Sequence, residues 1–540
     1  MSKYNNKQYV RVHDSNQNEE VIYEMKLELN DFFSEIYESG KDGIPNFKIY
    51  SGGKWHFPES GEFTDVMSPI DNSVIARISA PSEIDADRVL NDAYKAKSLI
   101  RRMPAIERMG AMTKASRIVE ENFAVLQDSI VLNNGKTLAD ASGEINATMH
   151  RLSLTFEEAR KIFGDYIPGD WAEENIGKYA LIIREPVGLV LAISPFNYPL
   201  FITYTKVIPA LLAGNSVIVK PPSVDPIPAI LMAKIMEEAG LPSGSVSIIT
   251  GKGALGSYMA ESPVVDVVTF TGSTEVGKNL TKISGIKKIH LELGGKGAAI
   301  ILNDADIPSA ASKTLAGSLK NAGQRCDAIS RVLVQREVYQ KFCGLLAEGI
   351  RTWTVGDPRD KNTKIGPLIN RSAVEHVLGL ITDAVDKGAQ VVHGGKSQGN
   401  FMEPTLILDV PLDARIMWEE TFGPVIPVHQ FDTVDESIEI ANRSEYGLDS
   451  AVFTKDLNSA WKVSKRLEVG EVTVNSFPAH GVGFFPFGGV KESGLGREGI
   501  GYSIDEFTNM KTIVFDTAGG RIWQSEEESR ELLTNSRRTR

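Results

Sequence analysis

One cysteine stands in a short segment of small residues that would suit a nucleophile. Cys326 is one of two cysteines in 540 residues, and small neighbours such as Gly323 and Ala328 leave space beside its sulfur. Arg325 precedes it, and an adjacent cation favours a reactive thiolate. The alternative is a small buried apolar cysteine, which is the commoner state of this residue type. The segment alone leaves both interpretations open.

The elements around Cys326 should hold the thiol between a helix and a strand. Apolar spacing predicts a helix over residues 307–319 and a strand over residues 329–334. Gly323 permits a tight loop between them. The second cysteine, Cys343, lies in an apolar helical segment and is predicted to belong to the core.

Regular alternation of strands and helices begins at residue 188. The predicted strands are 189–193, 216–220, 246–250, 265–270 and 288–292. Short β-branched strands between amphipathic helices predict a parallel, doubly wound α/β sheet, in which ligands bind beyond the carboxyl ends of the strands. A second alternating series, from residue 298 to about 474, predicts a second α/β domain. Residues 140–163 read as one long helix that carries Arg151.

Two segments at these strand ends are candidate anion sites. Residues 251–256 match GxGxxG, but no acidic residue follows at the position expected for a ribose, so a phosphate loop and a plain glycine turn stay open. Residues 271–274, Thr-Gly-Ser-Thr, are the better candidate. Their hydroxyls are expected to cap a helix whose free N–H groups would face an anion.

Composition restricts the class of protein. The formal charge of −12 argues against nucleic acid as a partner, and no apolar run reaches membrane-spanning length. The first residues contain no signal-peptide core, and two cysteines cannot build a disulfide framework, so a cytoplasmic location is expected. No metal site is expected.

A series of motifs, in order along the chain, resembles the aldehyde dehydrogenase superfamily. The motifs are SPFNYP at 194–199, VKPP at 219–222, FTGST at 270–274, LELGGK at 291–296, GQRC at 323–326, ETFGP at 420–424, PFGG at 486–489 and KESG at 491–494. The match covers about residues 46–517. It is most similar to archaeal NADP-dependent non-phosphorylating glyceraldehyde-3-phosphate dehydrogenases, through GDYIPGDW at 164–171, AGQRCDAI at 322–329, HG at 480–481 and REGIGY at 497–502.

The resemblance implies two doubly wound α/β domains and a β-arm for oligomerisation. The implied divisions are an N-terminal extension (1–45), a cofactor-binding domain (46–165 and 185–292), an oligomerisation arm (166–184 and 505–517), a catalytic domain (293–504) and a polar C-terminal tail (518–540). Members of the family exchange this arm between subunits. A homotetramer built as a dimer of dimers is therefore expected.

The resemblance also assigns the catalytic roles. Cys326 would attack an aldehyde, and the Asn197 amide with the Cys326 backbone N–H would stabilise the resulting oxyanion. Glu292 would activate the water that hydrolyses the thioester. Without the motif, an isolated glutamate at a strand end would be read as a solvated or capping group.

Seven residues are implied to bind the cofactor: Ser194, Lys220, Ser223, Gly272, Ser273, Glu420 and Phe422. Lys220 would bond the adenosine ribose and Ser273 the pyrophosphate, while Glu420 would bond the nicotinamide ribose and Phe422 would lie against the ring. NAD-preferring relatives commonly carry a glutamate at the position of Ser223, so NADP is expected over NAD, with NAD use left open. The alternative is that Ser223 only caps the helix starting near residue 226.

The substrate is implied to be glyceraldehyde 3-phosphate, bound with the help of Asn197 and Tyr198. Arg325 matches an arginine that grips the substrate phosphate, and Arg151 would be a second contact. Ala479 departs from the pattern, because the relatives carry an arginine there or at the following position. A non-phosphorylated small aldehyde such as glyceraldehyde, and a non-catalytic structural relative, are the alternatives.

Overall fold

The computed structural model describes residues 10–13, 19–22 and 25–517; the predicted C-terminal tail, 518–540, lies outside these ranges, as does part of the predicted N-terminal extension. Up to residue 292 the elements are β1 (Val10–His13), β2 (Glu19–Ile22), β3 (Tyr37–Ser39), β4 (Pro45–Phe47), β5 (Ile49–Ser51), β6 (Lys54–His56), β7 (Phe63–Met67), β8 (Val74–Ser79), α1 (Glu83–Arg102), α2 (Ala105–Glu121), α3 (Phe123–Asn134), α4 (Leu138–Ser153), α5 (Thr155–Ala159), β9 (Asp165–Pro168), β10 (Lys178–Pro186), β11 (Leu189–Ile193), α6 (Phe201–Ala213), β12 (Ser216–Lys220), α7 (Ile227–Glu238), β13 (Val246–Ile248), α8 (Gly253–Glu261), β14 (Val267–Thr271), α9 (Thr274–Ile283) and β15 (Lys288–Glu292). The later elements are β16 (Ala298–Ile301), α10 (Ile307–Leu319), β17 (Arg331–Gln335), α11 (Tyr339–Gly349), α12 (Arg371–Asp386), β18 (Gln390–His393), β19 (Ser397–Gln398), β20 (Phe401–Met402), β21 (Thr405–Leu408), β22 (Val425–Phe431), α13 (Val434–Asn442), β23 (Tyr446–Gly447), β24 (Asp449–Phe453), α14 (Leu457–Arg466), β25 (Glu471–Val474), β26 (Val490–Lys491), β27 (Gly494–Leu495), α15 (Ser503–Glu506) and β28 (Thr508–Asp516). Among the described residues, no helix combines the length and the apolar character needed to cross a membrane.

The first sheet has the strand order β27-β15-β14-β11-β12-β13-β5-β6. Its central strands, from β15 to β13, run parallel. Every residue of β11, β12 and β14 is buried, as expected for a parallel sheet covered on both faces by helices. The chain order reverses between β11 and β14, and such a reversal opens a ligand crevice at the carboxyl ends of the strands. The predicted doubly wound sheet is confirmed.

The second sheet has the order β18-β21-β22-β17-β16-β24-β25 and is parallel apart from β18. It has a core of its own, in which β17 packs with α10 and α11 through side chains such as Leu319, Val332 and Phe342. The second α/β series predicted for residues 298–474 is therefore present. Cys326 lies between α10 and β17, as predicted.

The predicted N-terminal extension is docked on the first domain from Leu27 onward. Leu27, Phe33 and Ile36 are at most 5% exposed and belong to the main core of that domain. Glu35 accepts a hydrogen bond from Lys234 of α7 at 3.0 Å. These buried apolar side chains make the segment from Leu27 onward part of the core of the first domain.

The prediction of one helix over residues 140–163 is wrong. Helix α4 ends at Ser153 and α5 begins at Thr155, because Leu154 leaves helical geometry with φ −97° and ψ 25°. The break separates Arg151 at the end of α4 from Glu158 in α5. Their side chains form a buried ion pair, with the Arg151 Nη2 2.7 Å from the Glu158 Oε2.

The three-stranded antiparallel sheet β28-β10-β9 overlaps the ranges predicted for the oligomerisation arm. Its apolar side chains are exposed in the single chain: Tyr166 is 59% exposed, Met510 68% and Val514 60%. Exposed apolar strands of this kind are typical of a surface that is buried by a partner in solution.

The end of the range predicted for the catalytic domain, 293–504, returns to the first sheet. Strand β27 pairs antiparallel with β15, placing Gly494 opposite Glu292. The first domain is therefore completed by residues that follow the second domain in the chain.

Candidate active site

A cavity of about 560 Å³ opens at the carboxyl ends of β11, β12 and β14, against the loops of the second domain. It is lined by nine of the predicted site residues: Ser194, Asn197, Lys220, Ser223, Gly272, Ser273, Cys326, Glu420 and Phe422. The other four, Tyr198, Glu292, Arg325 and Arg151, are not among its lining residues.

Lys220 ends β12 inside this cavity. Its ammonium donates to the Pro221 carbonyl at 3.1 Å, and burial lowers the pKa of Lys220 to about 8. Gly256, the last glycine of the GxGxxG segment, gives room for the lysine stem, since a Cβ there would lie 3.2 Å from the Lys220 Cδ. That segment therefore contributes space at the cavity wall.

Ser223 does not cap the following helix. Helix α7 begins after Pro226, which makes no side-chain capping bond, whereas the Ser223 hydroxyl donates to the Gly251 carbonyl at 2.9 Å. The capping alternative is therefore contradicted. Nearby, the buried Ser194 hydroxyl has no hydrogen-bond partner within the described part of the chain.

The N-terminus of α9 is open for an acceptor. Ser273 occupies the N-cap position, but its side chain makes no capping bond, so the prediction of hydroxyl capping is wrong. A Cβ at Gly272 would lie 2.5 Å from the Phe270 ring, which requires the bare backbone there. The first-turn N–H groups are thus left for another acceptor, and phosphate suits such a position.

Glu420 and Phe422 line the opposite end of the cavity. The Glu420 Oε1 accepts a hydrogen bond from the Gly295 N–H at 3.1 Å, and burial raises the pKa of Glu420 to about 7. Phe422 adopts a left-handed backbone conformation with φ 48°, and its ring meets the Phe196 ring edge-on at 5.7 Å. A Cβ at Gly294 would lie 2.9 Å from the Glu420 Oε2, so glycine is needed beside this carboxylate.

The loop before the thiol is strained and tightly packed. Asn321 and Ala322 are buried and both left-handed, with φ of 52° and 53°. A Cβ at Gly323 would collide with the Gly423 carbonyl. The Asn321 amide donates to the Asn197 carbonyl at 3.3 Å, so one side chain links the two loops that carry Asn197 and Cys326. Sequence reasoning missed Asn321, although asparagine is a residue that tolerates this conformation.

The surroundings of the thiol do not favour a thiolate. Burial raises the pKa of Cys326 well above its ordinary value, and the Asp327 and Asp449 carboxylates raise it further. The guanidinium of Arg325 is engaged elsewhere: its Nε donates to Asp327 at 2.9 Å and its Nη2 to the Pro478 carbonyl at 3.0 Å. These bonds hold the guanidinium in place near the thiol, and activation of the thiol by Arg325 stays a prediction.

Arg151 and Tyr198 also have partners of their own. Arg151 pairs with Glu158 and donates through Nη1 to the Val482 carbonyl at 3.1 Å. The Lys136 ammonium lies 3.5 Å from the centre of the Tyr198 ring. Both residues thus support the loops around the cavity.

Glu292 ends β15 and is buried beside a glycine. Its side chain is 4% exposed, and neither carboxylate oxygen has a hydrogen bond within the described residues. A Cβ at Gly488 would lie 2.8 Å from the Glu292 Oε1, so this carboxylate needs glycine at its flank. Burial raises the pKa of Glu292 well above its ordinary value, and the Glu498 carboxylate adds to this effect.

A buried charge pair that sequence reasoning missed lies near Glu292. The Lys206 ammonium is 2.7 Å from the Glu498 Oε1, and His480 Nε2 is 3.7 Å from the Glu498 Oε2. Desolvation opposes ionisation of Glu498, but Lys206, His480 and His290 together outweigh it and hold the pKa of Glu498 well below its ordinary value. The signal in the sequence was Lys206, which is the one charged residue in the mostly apolar helix α6 and therefore needs a buried partner.

The crevice at the switch point of the first α/β sheet faces a thiol on the second domain, an arrangement that suits a cofactor-dependent enzyme with a cysteine nucleophile. The aldehyde dehydrogenase family matches residues 55–513, and the chain belongs to that family. The family predicted from the motifs is therefore confirmed.

Relatives and solved structures agree with this assignment. A protein of Streptococcus equinus named NADP-dependent glyceraldehyde-3-phosphate dehydrogenase is 40% identical over 478 residues, covering 87% of this chain and 99% of that protein. A 3-sulfolactaldehyde dehydrogenase of Priestia aryabhattai is 36% identical over 474 residues, covering 88% and 98%. The structure of NADP-dependent glyceraldehyde-3-phosphate dehydrogenase from Bacillus halodurans C-125, complexed with NADP, matches with a TM-score of 0.86 at 36% identity, covering 87% and 99%.

Proposed function

We propose that the protein oxidises glyceraldehyde 3-phosphate to 3-phosphoglycerate with NADP, without phosphorylating the product. The observation that carries this proposal is a single cavity whose wall includes both Cys326 with Asn197 and Lys220 with Ser223. A nucleophile, an amide donor and a cofactor-binding wall are thereby combined. The relative from Streptococcus equinus, named for this activity, supports the substrate.

The proposed chemistry uses three side chains of this protein. The Cys326 thiol releases its proton to solvent as its sulfur bonds to the aldehyde carbon, and the Asn197 amide with the Cys326 N–H stabilises the oxyanion that forms. When bound, NADP supplies the acceptor for the hydride that leaves this carbon, so that a thioester of Cys326 remains. Glu292 then takes a proton from water, whose oxygen attacks the thioester carbon. The carbon–sulfur bond breaks, the carboxylic acid leaves and the departing sulfur takes the proton from Glu292, which restores both the thiol and the base.

NADP fits the residues at the cofactor end of the cavity. Lys220 offers a positive charge and Ser223 a short neutral side chain, which together leave room for a 2′-phosphate. A glutamate at that position would repel the phosphate. The open N-terminus of α9 at Ser273 suits the pyrophosphate, and Glu420 offers an acceptor for ribose hydroxyls.

A second candidate substrate is a non-phosphorylated small aldehyde such as glyceraldehyde. The observation that favours it is the engagement of both predicted phosphate ligands: Arg325 with Asp327, and Arg151 with Glu158. Ala479, where the predicted pattern has an arginine nearby, removes a further cation. A non-catalytic role is disfavoured, because Cys326 and Asn197 share a cavity with the cofactor-binding residues.

Initial rates of reduced-cofactor formation test both candidates. Glyceraldehyde 3-phosphate, glyceraldehyde and 3-sulfolactaldehyde should each be assayed with NADP and with NAD. We expect the highest kcat/KM for glyceraldehyde 3-phosphate with NADP. A preference for glyceraldehyde supports the second candidate, and no turnover of any aldehyde supports a non-catalytic role.

We propose that the protein assembles as a homotetramer, a dimer of dimers. The support is the apolar strand surface of β9, β10 and β28, which is exposed in the single chain. Light scattering at micromolar concentration should give four times the chain mass, and Val514→Asp should lower it. A monomeric mass for the unaltered chain would exclude this assembly.

We also propose a cytoplasmic location. Both cysteines are free thiols, which fits a reducing compartment. Microscopy of the tagged protein in its native cell tests this location, and an extracellular signal would contradict it.

A further inference from the structure

We propose that His290 is a positioning residue for Glu292, whose carboxylate it holds through an imidazole N–H during thioester hydrolysis. The inference rests on the proposed role of Glu292 as the general base. His290 lies two residues before Glu292 on β15, so both side chains point to the same face of the sheet.

The two side chains face each other as unpartnered buried groups. The His290 Nε2 is 3.4 Å from the Glu292 Oε1, with the side chains 3% and 4% exposed. Neither atom makes a hydrogen bond within the described structure. Buried polar groups without partners are costly, and catalytic hydrogen bonds are often long before substrate binds. A small rotation of either side chain makes each the partner of the other.

The neighbours of His290 accommodate the tautomer that carries the proton on Nε2. The Thr269 hydroxyl oxygen lies 3.1 Å from the His290 Nδ1 and accepts a hydrogen bond from the Lys206 ammonium at 3.4 Å. Because that lysine has no lone pair, the hydroxyl proton of Thr269 is free to go to Nδ1. In the tautomer that accepts this proton at Nδ1, the imidazole N–H is on Nε2 and faces Glu292.

His290 acts as a neutral donor. Burial and the Lys206 charge lower the pKa of His290 to about 4, so the ring is uncharged at neutral pH. The other charged groups facing it are Glu498 and Arg497 from the segment after β27, together with Glu506 of α15, which shares with the ring the space beside Gly496. An N–H donated to the ionised form of Glu292 opposes the desolvation that favours its protonation.

The test compares His290→Met, which removes the N–H, with His290→Gln, whose amide keeps a donor in the same place. The burst of reduced cofactor and the steady-state rate should be measured from pH 5 to 9. We expect His290→Met to keep the burst, to lose about five- to twentyfold in steady-state rate at pH 7 and to lose activity on the acid side about one pH unit higher. His290→Gln should stay close to the unaltered protein.

A second variant covers the case in which His290→Met fails to fold. Thr269→Val removes the hydroxyl that orients the ring, so the acid limb should move in the same direction by a smaller amount. The proposal is overturned if the folded variants lose activity at the same acidic pH as the unaltered protein. It is also overturned if His290→Met and His290→Gln shift that pH equally.

A cofactor-free assay separates this proposal from the proposed function. p-Nitrophenyl acetate, an activated ester, acylates a thiol without aldehyde or NADP, and release of acetate then reports hydrolysis alone. If Glu292→Gln does not slow that release, Glu292 is not the base, and both its proposed role and the His290 proposal fail. If Glu292→Gln slows it and His290→Met does not, the His290 proposal alone fails.

Discussion

The two ends of the cleft differ in how their polar groups are engaged. At the cofactor end, the buried hydroxyls of Ser194 and Thr271 lack partners within the described residues, and the buried Lys220 contacts a carbonyl. At the thiol end, Arg325 and Arg151 are each paired with a carboxylate. Open donors indicate a preformed ligand site, whereas paired charges must rearrange before they can bind a ligand. The cofactor is therefore easier to infer from this structure than the substrate.

The largest expected effect comes from removing the thiol, which should abolish catalysis at one end of the cleft and leave cofactor binding at the other end unchanged. Cys326→Ser should lower kcat by at least about 10⁴-fold, because a serine alkoxide is much harder to form than a thiolate. NADP affinity, measured by fluorescence titration, should be unchanged. Turnover above about 1% of the original rate would remove Cys326 from the nucleophilic role.

Glu292→Gln should separate the two steps that take place at the thiol end, which are thioester formation and thioester hydrolysis. We expect a burst of about one reduced cofactor per active site, followed by a steady rate about 10²- to 10⁴-fold lower, since only hydrolysis needs the base. Rapid mixing measures both phases. Undiminished steady turnover would contradict the assignment.

Arg325→Ala tests whether the paired guanidinium also contacts substrate. If it grips the phosphate, kcat/KM for glyceraldehyde 3-phosphate should fall by about 30- to 1000-fold, corresponding to roughly 2–4 kcal/mol, with a much smaller loss for glyceraldehyde. Asp327→Asn is the matched control, since it removes the partner but keeps the cation. Equal losses for both substrates in both variants would indicate that the pair only holds the loop at Pro478.

Ser223→Glu tests the cofactor end. A carboxylate beside the 2′-phosphate should cost NADP roughly 1–3 kcal/mol, about 5- to 150-fold in kcat/KM, while NAD is spared. Ser223→Ala, which adds no charge, should change the ratio much less. If Ser223→Glu leaves the ratio of kcat/KM for NADP and NAD unchanged, the 2′-phosphate binds elsewhere.

The smallest expected effect is a pH dependence of NADP binding. Because the pKa of Lys220 is lowered to about 8, its ammonium is present below pH 8 and is lost above it. The KM for NADP should therefore rise by up to about tenfold between pH 7 and 9. Lys220→Gln should give weaker binding with a flat profile. A flat profile in the unaltered protein would mean that Lys220 does not meet the phosphate.

The cofactor end was predictable because its residues follow regular elements. Strand β11 ends at Ile193, just before Ser194, and β12 ends at Lys220, as the alternation of β-branched strands and amphipathic helices indicated. The carboxyl ends of neighbouring parallel strands meet at one edge, so Ser194, Lys220 and Ser273 had to converge. Local pattern was sufficient there.

The thiol end was less predictable because it depends on contacts between distant segments. The left-handed Asn321 is held by packing against the loop of Asn197, and the position of Lys206 beside Glu498 requires the returning segment after β27. The helix break at Leu154 carries neither proline nor glycine, so no local signal marked it. Each of these features is set by tertiary contacts.

The return of the chain to the first sheet constrains how the protein is made. Gly494 pairs opposite Glu292, and the Asn215 amide donates to the Phe507 carbonyl at 2.9 Å. During synthesis, a nascent chain that has passed residue 292 still lacks the strand that covers β15. The open backbone edge of β15 must wait for about two hundred further residues, during which it is free to pair with other chains. We therefore expect the first domain to finish folding only after the second has emerged from the ribosome, and fragments that stop near residue 292 to aggregate.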